Sequence, residues 1–218
     1  MKRAAIAGAL LIAMFAVSTY AAPQLLAFPY EVRMGDDRVY SVAPVQPAEI
    51  APILQRADGL LAESPIAARH EGRRIFLTDG GWRWYWLANR SAGGFALTRP
   101  VTEYVLVNRS DVADDKVFDG ETLGGTRSLS GVIAHEKCHG AIRRHFGVMR
   151  SLAFPQMLVE GYCDYVAQES SLSDADVARL RAAGHDHPAL PYYFGRRRVA
   201  AELARDGGSV DRLFAQWR

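Results

Sequence analysis

The chain has 218 residues, of which 49% are apolar and 23% are charged. This composition predicts one globular domain with a sizeable core and excludes a disordered, collagen-like or repeat protein. Basic residues exceed acidic ones by only two, and the excess disappears when Lys2 and Arg3 are left out. A neutral chain with one dense basic run, at 196–198, gives no indication of a nucleic-acid partner.

The first residues have the layout of a secretory signal peptide. Two basic residues precede an uncharged apolar run at 4–17, which is followed by small residues and Pro23. We therefore predict export, with residues 1–22 as a signal peptide or an N-terminal membrane anchor. Residues 23–218 then form a single domain, either periplasmic or anchored to the outer face of the cytoplasmic membrane. Membrane contact is expected only through the N-terminal segment, if it stays uncleaved.

Strands dominate the predictions for residues 23–126. Alternating apolar residues on both sides of a Gly-Asp-Asp segment predict a short strand pair or one bent strand within 24–42. Apolar residues at helical spacing, bracketed by prolines, predict a helix over 47–65. Further strands are predicted at 73–81, 93–97 and 103–110.

Two segments of this part stand out by composition. The stretch WRWYW at 82–86 places four aromatic residues close together, and we interpret them as core aromatics, with the wall of a binding cleft as the alternative. The segment 112–126 is polar and glycine-rich, and it reads as a connection that can shape a cleft.

From Arg127 onward the apolar spacing becomes helical. Ser128 is a favourable N-cap for a helix that runs to about His145, with Gly147 as its end. Later helices are predicted at 155–168, 173–184 and 191–207, with a short one at the C-terminus. Strands first and helices second predict an α+β fold: a small N-terminal mixed β-sheet with a helix, then a mostly helical C-terminal half at 127–218.

The helix predicted after Ser128 contains HEKCH, which is an H-E-x-x-H motif. Residues four apart lie on one face of a helix, so His135 and His139 can bind a single metal ion. Glu136 projects beside that ion, where it can take a proton from a bound water. The alternative is an ordinary helix with two surface histidines.

A catalytic zinc needs a third protein ligand and an open fourth position. The next predicted helix supplies Glu160 as that ligand. One turn further, Asp164 shares its face and is placed to accept the hydrogen bond that a zinc-bound histidine donates, here His135. A solvated acidic face is the alternative, but apolar and tyrosine neighbours favour a buried position.

The segments HEKCH at 135–139 and EGYCDY at 160–165 resemble the gluzincin metallopeptidases, in particular small peptidase-MA-like proteins of the minigluzincin type. The resemblance covers roughly residues 127–205, and the N-terminal part is similar only in outline. It implies a zincin-like domain with one Zn²⁺ ion, held by the two motif histidines and Glu160, and a peptide or protein substrate. The chain lacks the G-x-M-E-N block of the exopeptidase members.

The aminopeptidase branch of that family carries an oxyanion-stabilising tyrosine in a Y-x-x-G block. Tyr192 stands three residues before Gly195 in this chain, and the resemblance implies that its phenol donates to the developing charge. The neighbouring Tyr193 is an alternative for this role, and so are His185 and His187. A tyrosine that only packs in the core is the other interpretation.

The only two cysteines are close to the predicted ligands. Cys138 lies three residues after His135 and Cys163 lies three residues after Glu160, so each shares a helix face with a ligand. In an exported chain this predicts a disulfide between the two helices, closing a loop of about 25 residues. Two buried free thiols, or a cysteine ligand in place of Glu160, are the alternatives.

Taken together, these features predict an exported zinc metallopeptidase with Glu136 as general base. One rival is a non-catalytic envelope binding protein that retains a vestigial zinc site. The other is a zinc amidase that acts on cell-wall material. The presence of Glu136 favours catalysis, because a structural zinc site needs no base.

Overall fold

The structure is a computed structural model that describes residues 2–68 and 72–217. The strands are β1 (Tyr30–Met34), β2 (Asp37–Ser41), β3 (Arg74–Thr78), β4 (Ala96–Thr98), β5 (Val105–Asp111), β6 (Lys116–Phe118) and β7 (Thr126–Ser128). The helices are α1 (Lys2–Tyr20), α2 (Pro47–Ala62), α3 (Trp82–Ala88), α4 (Leu129–Phe146), α5 (Val148–Ser151), α6 (Gln156–Val166), α7 (Asp174–Ala183), α8 (Leu190–Arg205) and α9 (Val210–Gln216). The predicted fold class is confirmed: a mixed N-terminal sheet is followed by a helical C-terminal half.

The described strands form one mixed sheet in the order β1-β2-β3-β5-β6-β7, with β4 added beside β5. The parallel pairs are β2–β3 and β3–β5, and the other pairs are antiparallel. Strands β4 and β6 occupy successive parts of the same side of β5, since β4 pairs with Val105–Val107 and β6 with Arg109–Asp111. The segment 112–126, which was predicted as a connection, therefore contains the strand β6.

The aromatic cluster at 82–86 is not a single core cluster. It forms the short helix α3, and only Trp84 enters the core, with 1% of its surface exposed. Trp82, Tyr85 and Trp86 are 56%, 64% and 41% exposed, so the core interpretation is wrong for these three. A helix of two turns places one face against the sheet, and the other side chains remain outside.

The N-terminal helix α1 contacts α3 through Phe15, whose ring meets the ring of Trp86 edge-on at 5.4 Å. Several of its apolar side chains are exposed, among them Leu10, Ile12 and Val17. In the part of the chain that the structure describes, no helix is long and apolar enough to cross a membrane. The export of the chain stays a prediction.

Helix α4 is the central element of the domain. Its N-cap is Ser128, whose Oγ accepts from the Gly131 amide at 3.0 Å, and it ends before Gly147, as predicted. One side of α4 packs with α2 against the sheet, and another packs against α6, α8 and α9. The motif at 135–139 is therefore held between two apolar clusters, which fixes its position.

Helices α6 and α8 cross with their backbones in direct contact. A Cβ atom on Gly161 would lie 2.6 Å from the carbonyl carbon of Gly195, and one on Gly195 would lie 2.8 Å from the Met157 oxygen. Only glycine permits this approach. The crossing brings Glu160 on α6 and Tyr192 on α8 to the same cleft.

Candidate metal centre

Three predicted ligands converge on one point between α4 and α6. The Nε2 atoms of His135 and His139 are 3.2 Å apart. The carboxylate of Glu160 lies 3.1 Å from the first of these nitrogens and 3.7 Å from the second. Tetrahedral zinc ligands at about 2.0–2.1 Å from the metal are about 3.3 Å from one another, so this spacing fits a zinc ion.

The hydrogen bonds identify what these atoms present to the centre. The Nδ1 atom of His135 lies 2.8 Å from Oδ1 of Asp164, as predicted, and a neutral His135 that donates there presents a lone pair at Nε2. That lone pair faces a second imidazole nitrogen and the Glu160 carboxylate. Three acceptors this close repel one another unless a cation or a proton lies among them, so the donor set suits a divalent metal.

Without a metal, the cluster favours a proton on His135. Burial alone would lower the pKa of His135, but its hydrogen bonds to Asp164 and Glu160 outweigh burial and raise the pKa well above its usual value. Burial lowers the pKa of His139. Burial would raise the pKa of Glu160, yet the two histidines hold it below its usual value. The site is therefore electrostatically suited to a positive ion.

Glu136 is buried beside the predicted ligands. One carboxylate oxygen of Glu136 and one ring nitrogen from each of the two histidines lie within 4.8 Å of one another. The hydroxyl of Thr98 on β4 donates to Oε2 of Glu136 at 2.7 Å and also lies 3.0 Å from its backbone oxygen. This contact ties β4 to Glu136 and fixes the direction of its carboxylate. Thr98 was not among the predicted site residues, because no sequence motif marks it.

The site opens into a cleft of about 720 Å³ that is lined by β4, by the 119–124 part of the predicted connection and by the start of α8. The aromatic residues at 82–86 are not among the residues that line it, so they do not form a wall of this cleft. Another cavity, of about 690 Å³, is lined by Tyr165, Arg196 and Arg197 and contains none of the predicted ligands.

Of the candidates for an oxyanion donor, Tyr192 and His187 line the cleft. Burial and the negative charges of Glu160 and Asp164 raise the pKa of Tyr192, so its phenol keeps its proton. The hydroxyl of Tyr193 instead donates to Asp174 at 2.7 Å, outside the cleft.

His185, the remaining candidate, is exposed and is not among the residues that line the cleft. Tyr193 and His185 therefore do not face this cleft in the structure. Tyr192 stays the predicted donor, with His187 as the neighbouring group.

The lysine within the motif forms ion pairs with two carboxylates. Lys137 is 1% exposed, and its Nζ lies 2.7 Å from a carboxylate oxygen of Asp37 on β2 and 2.7 Å from one of Asp58 on α2. These ion pairs fix α4 against the sheet and against α2 on the side away from the ligands. A buried charge with two carboxylate partners explains why a lysine fits inside this helix.

The two cysteines lie next to each other but are free thiols in the structure. Both are fully buried in the apolar cluster between α4, α6, α8 and α9, and neither lines the cleft. Burial raises the pKa of Cys163 well above its usual value, and the hydrogen bond with Cys138 adds to the effect. This opposes the thiolate form that a metal ligand needs. The disulfide is not formed in the structure and stays a prediction.

No protein-family model, no curated protein and no solved structure matches this chain. The resemblance to the gluzincin metallopeptidases therefore depends on the motif residues themselves. Their arrangement in the structure is the physical evidence for what the site can do.

Proposed function

We propose that this protein is a zinc-dependent metallopeptidase of the gluzincin type. One observation carries the proposal: three lone-pair donors, from His135, His139 and Glu160, converge at zinc-ligand spacing beside the buried carboxylate of Glu136. A merely structural site needs four ligands and no neighbouring base. The signal-like layout of residues 1–22 supports a location in the cell envelope.

Zinc in this site would lower the pKa of a bound water and polarise the scissile carbonyl. Glu136 takes a proton from the attacking water and then gives it to the leaving amine. Thr98 holds the Glu136 carboxylate in the orientation for both transfers. Tyr192, which also lines the cleft, keeps its phenolic proton and donates a hydrogen bond to the oxygen that becomes negative.

The strand β4 supports a peptide as the substrate. It pairs along one side with β5, while residues 93–98 line the cleft. Among the described residues, no strand pairs with its other side. An extended peptide can add to such an edge through backbone hydrogen bonds, which would place its carbonyl groups along the metal site.

The experiment is a zinc determination and a peptide-hydrolysis assay on the protein without residues 1–22. Wild type should contain one zinc ion and cleave a casein-type substrate. His139→Ala should lose both zinc and activity, whereas Glu136→Gln should keep the zinc and lose activity. His145→Ala is the matched control, because this histidine lies on the same helix but bonds to Asp211 outside the cleft.

The rivals give different results in the same assay. A zinc amidase would cleave peptidoglycan fragments and leave casein intact, with the same dependence on Glu136. A binding protein with a vestigial site would hold zinc and show no Glu136-dependent hydrolysis of either substrate. A wild-type protein without zinc would contradict the proposal altogether.

A further inference from the structure

A buried arginine outside the motif is connected to the metal site. Arg127 lies in β7, immediately before the N-cap of α4, and its side chain is 7% exposed. It is among the residues that line the cleft. Its Nη1 lies 3.0 Å from Oδ1 of Asp164, and its Nε lies 3.0 Å from Oε1 of Glu169, just beyond the end of α6.

Arg127 and His135 share one acceptor. The same Oδ1 atom of Asp164 lies 3.0 Å from the arginine Nη1 and 2.8 Å from His135 Nδ1. A donor from the guanidinium therefore determines where this oxygen lies, and the oxygen determines how the imidazole is oriented. Because His135 donates from Nδ1 to that oxygen, Nε2 is the nitrogen that points to the two other predicted ligands and is the one available to a metal ion.

The charges require this pairing. Asp164 is 2% exposed, and the guanidinium of Arg127 lies 3.0 Å from its carboxylate. A buried carboxylate that loses its cation is strongly unfavourable. Without Arg127, Oδ1 of Asp164 loses one of the two donors that fix its position, and its bond to His135 is no longer held in place.

The Nε atom of Arg127 takes part in a second set of contacts, which fixes the start of α4. Glu169 accepts from Nε of Arg127, and its second oxygen accepts from the Ser128 hydroxyl at 2.9 Å. Ser128 in turn caps α4 through the Gly131 amide. Arg127 thus joins the segment that leads into α4 to Asp164 on α6, which are the two helices that carry the ligands.

We propose that Arg127 is a positioning residue of the metal site, which sets the orientation and tautomer of His135 through Asp164 and thereby the affinity for zinc. The inference rests on the proposed function for the identity of the ion. It concerns metal binding and not catalysis, so its test needs no turnover.

The test is a double-mutant cycle on zinc affinity, measured by competition with a chromogenic zinc chelator. Arg127→Gln and Asp164→Asn are each expected to weaken zinc binding by about 10- to 100-fold. The zinc affinity of the double variant should be within a few-fold of that of the weaker-binding single variant. Both substitutions break the same series of contacts, from Arg127 through Asp164 to His135. Additive losses, or wild-type affinity in Arg127→Gln, would overturn the proposal.

Two further variants separate positioning from folding. Glu169→Gln removes the carboxylate that pairs with Nε of Arg127 and leaves Asp164 unchanged. This variant should have a lower free energy of unfolding, but its zinc affinity should stay within about twofold of wild type. Arg127→Lys keeps the buried charge and serves if Arg127→Gln does not fold. A lysine lacks the planar fork that reaches both carboxylates, so several-fold weaker binding is expected, and unchanged affinity in this variant would also overturn the proposal.

A spectroscopic readout distinguishes the role directly. The hydrogen-bonded Nδ1 proton of His135 should give a downfield proton NMR signal that is lost or shifted in Arg127→Gln but retained in Glu169→Gln. If the wild type binds zinc and hydrolyses nothing, the proposed function fails while this inference still stands. If the wild type binds no zinc, both fail.

Discussion

The crossing of α6 and α8 gives the sharpest stability prediction. A Cβ atom on Gly161 would meet three backbone atoms of α8, at 2.6, 2.8 and 3.0 Å. None of these atoms can rotate away, so the helices must separate by about 0.8 Å to reach the 3.4 Å of an ordinary contact. Overpacking of this kind costs about 1–3 kcal/mol, and the better helix propensity of alanine returns up to about 1 kcal/mol.

We therefore expect Gly161→Ala to lower the free energy of unfolding by about 1–2 kcal/mol. Gly59 is the matched control: it lies inside α2, and a Cβ atom there would meet nothing within 4 Å. Gly59→Ala should raise the free energy of unfolding by about 0.5–1 kcal/mol, because only the helix propensity changes. Urea unfolding of both variants, followed by circular dichroism, measures the difference.

If Gly161→Ala stabilises the protein as Gly59→Ala does, the backbones of α6 and α8 are not in direct contact at Gly161, and this prediction is wrong. A second consequence concerns the site. Separation of α6 from α8 moves Tyr192 relative to Glu160, so Gly161→Ala should also lower the rate of hydrolysis, whereas Gly59→Ala should leave it unchanged.

Three further predictions concern the base, the metal and the thiols. Thr98→Val should lower kcat by about tenfold or more with the zinc content unchanged, because Glu136 loses a hydrogen bond to its charged carboxylate. Thr98→Ser keeps the hydroxyl and should keep a kcat close to that of wild type. Equal kcat values for the two variants would contradict the role of the hydroxyl. Zinc must displace the proton that His135 holds at its raised pKa, so zinc affinity should fall by up to about tenfold per pH unit as the pH drops below that pKa. Competition titrations at several pH values check this, and a flat profile below neutral pH would contradict it. Mass spectrometry of the unreduced protein should show Cys138 and Cys163 joined when the chain is made in an oxidising compartment, and two free thiols there would end the disulfide prediction.

Much of the fold, and the residues proposed as metal ligands, could be predicted from local patterns. Helix α4 begins after Ser128 and ends before Gly147, because capping and termination depend on neighbouring residues alone. The face shared by His135 and His139 follows from the helix period, and so does that of Glu160 and Asp164. Each of these relations spans only a few residues. The residue types that zinc prefers as ligands then indicated which side chains on these faces form the candidate site.

Other features depend on contacts between distant segments, which no local pattern reports. The aromatic stretch at 82–86 was expected in the core, yet three of its side chains lie outside, because the orientation of α3 on the sheet decides which face is covered. Thr98 reaches the site from β4, far from the motif in the chain, and Arg127 reaches it from β7, just before α4; no sequence motif marks either residue.

The sequence by itself determined which residues can bind the metal and on which helix faces they lie, because periodicity and ligand chemistry are local. Only the tertiary structure decided what holds them in place: the glycine crossing of α6 and α8, the hydroxyl on Glu136 and the arginine on Asp164. These contacts exist because the chain brings together segments about 30 to 40 residues apart, and the packing of whole helices and strands sets their distances.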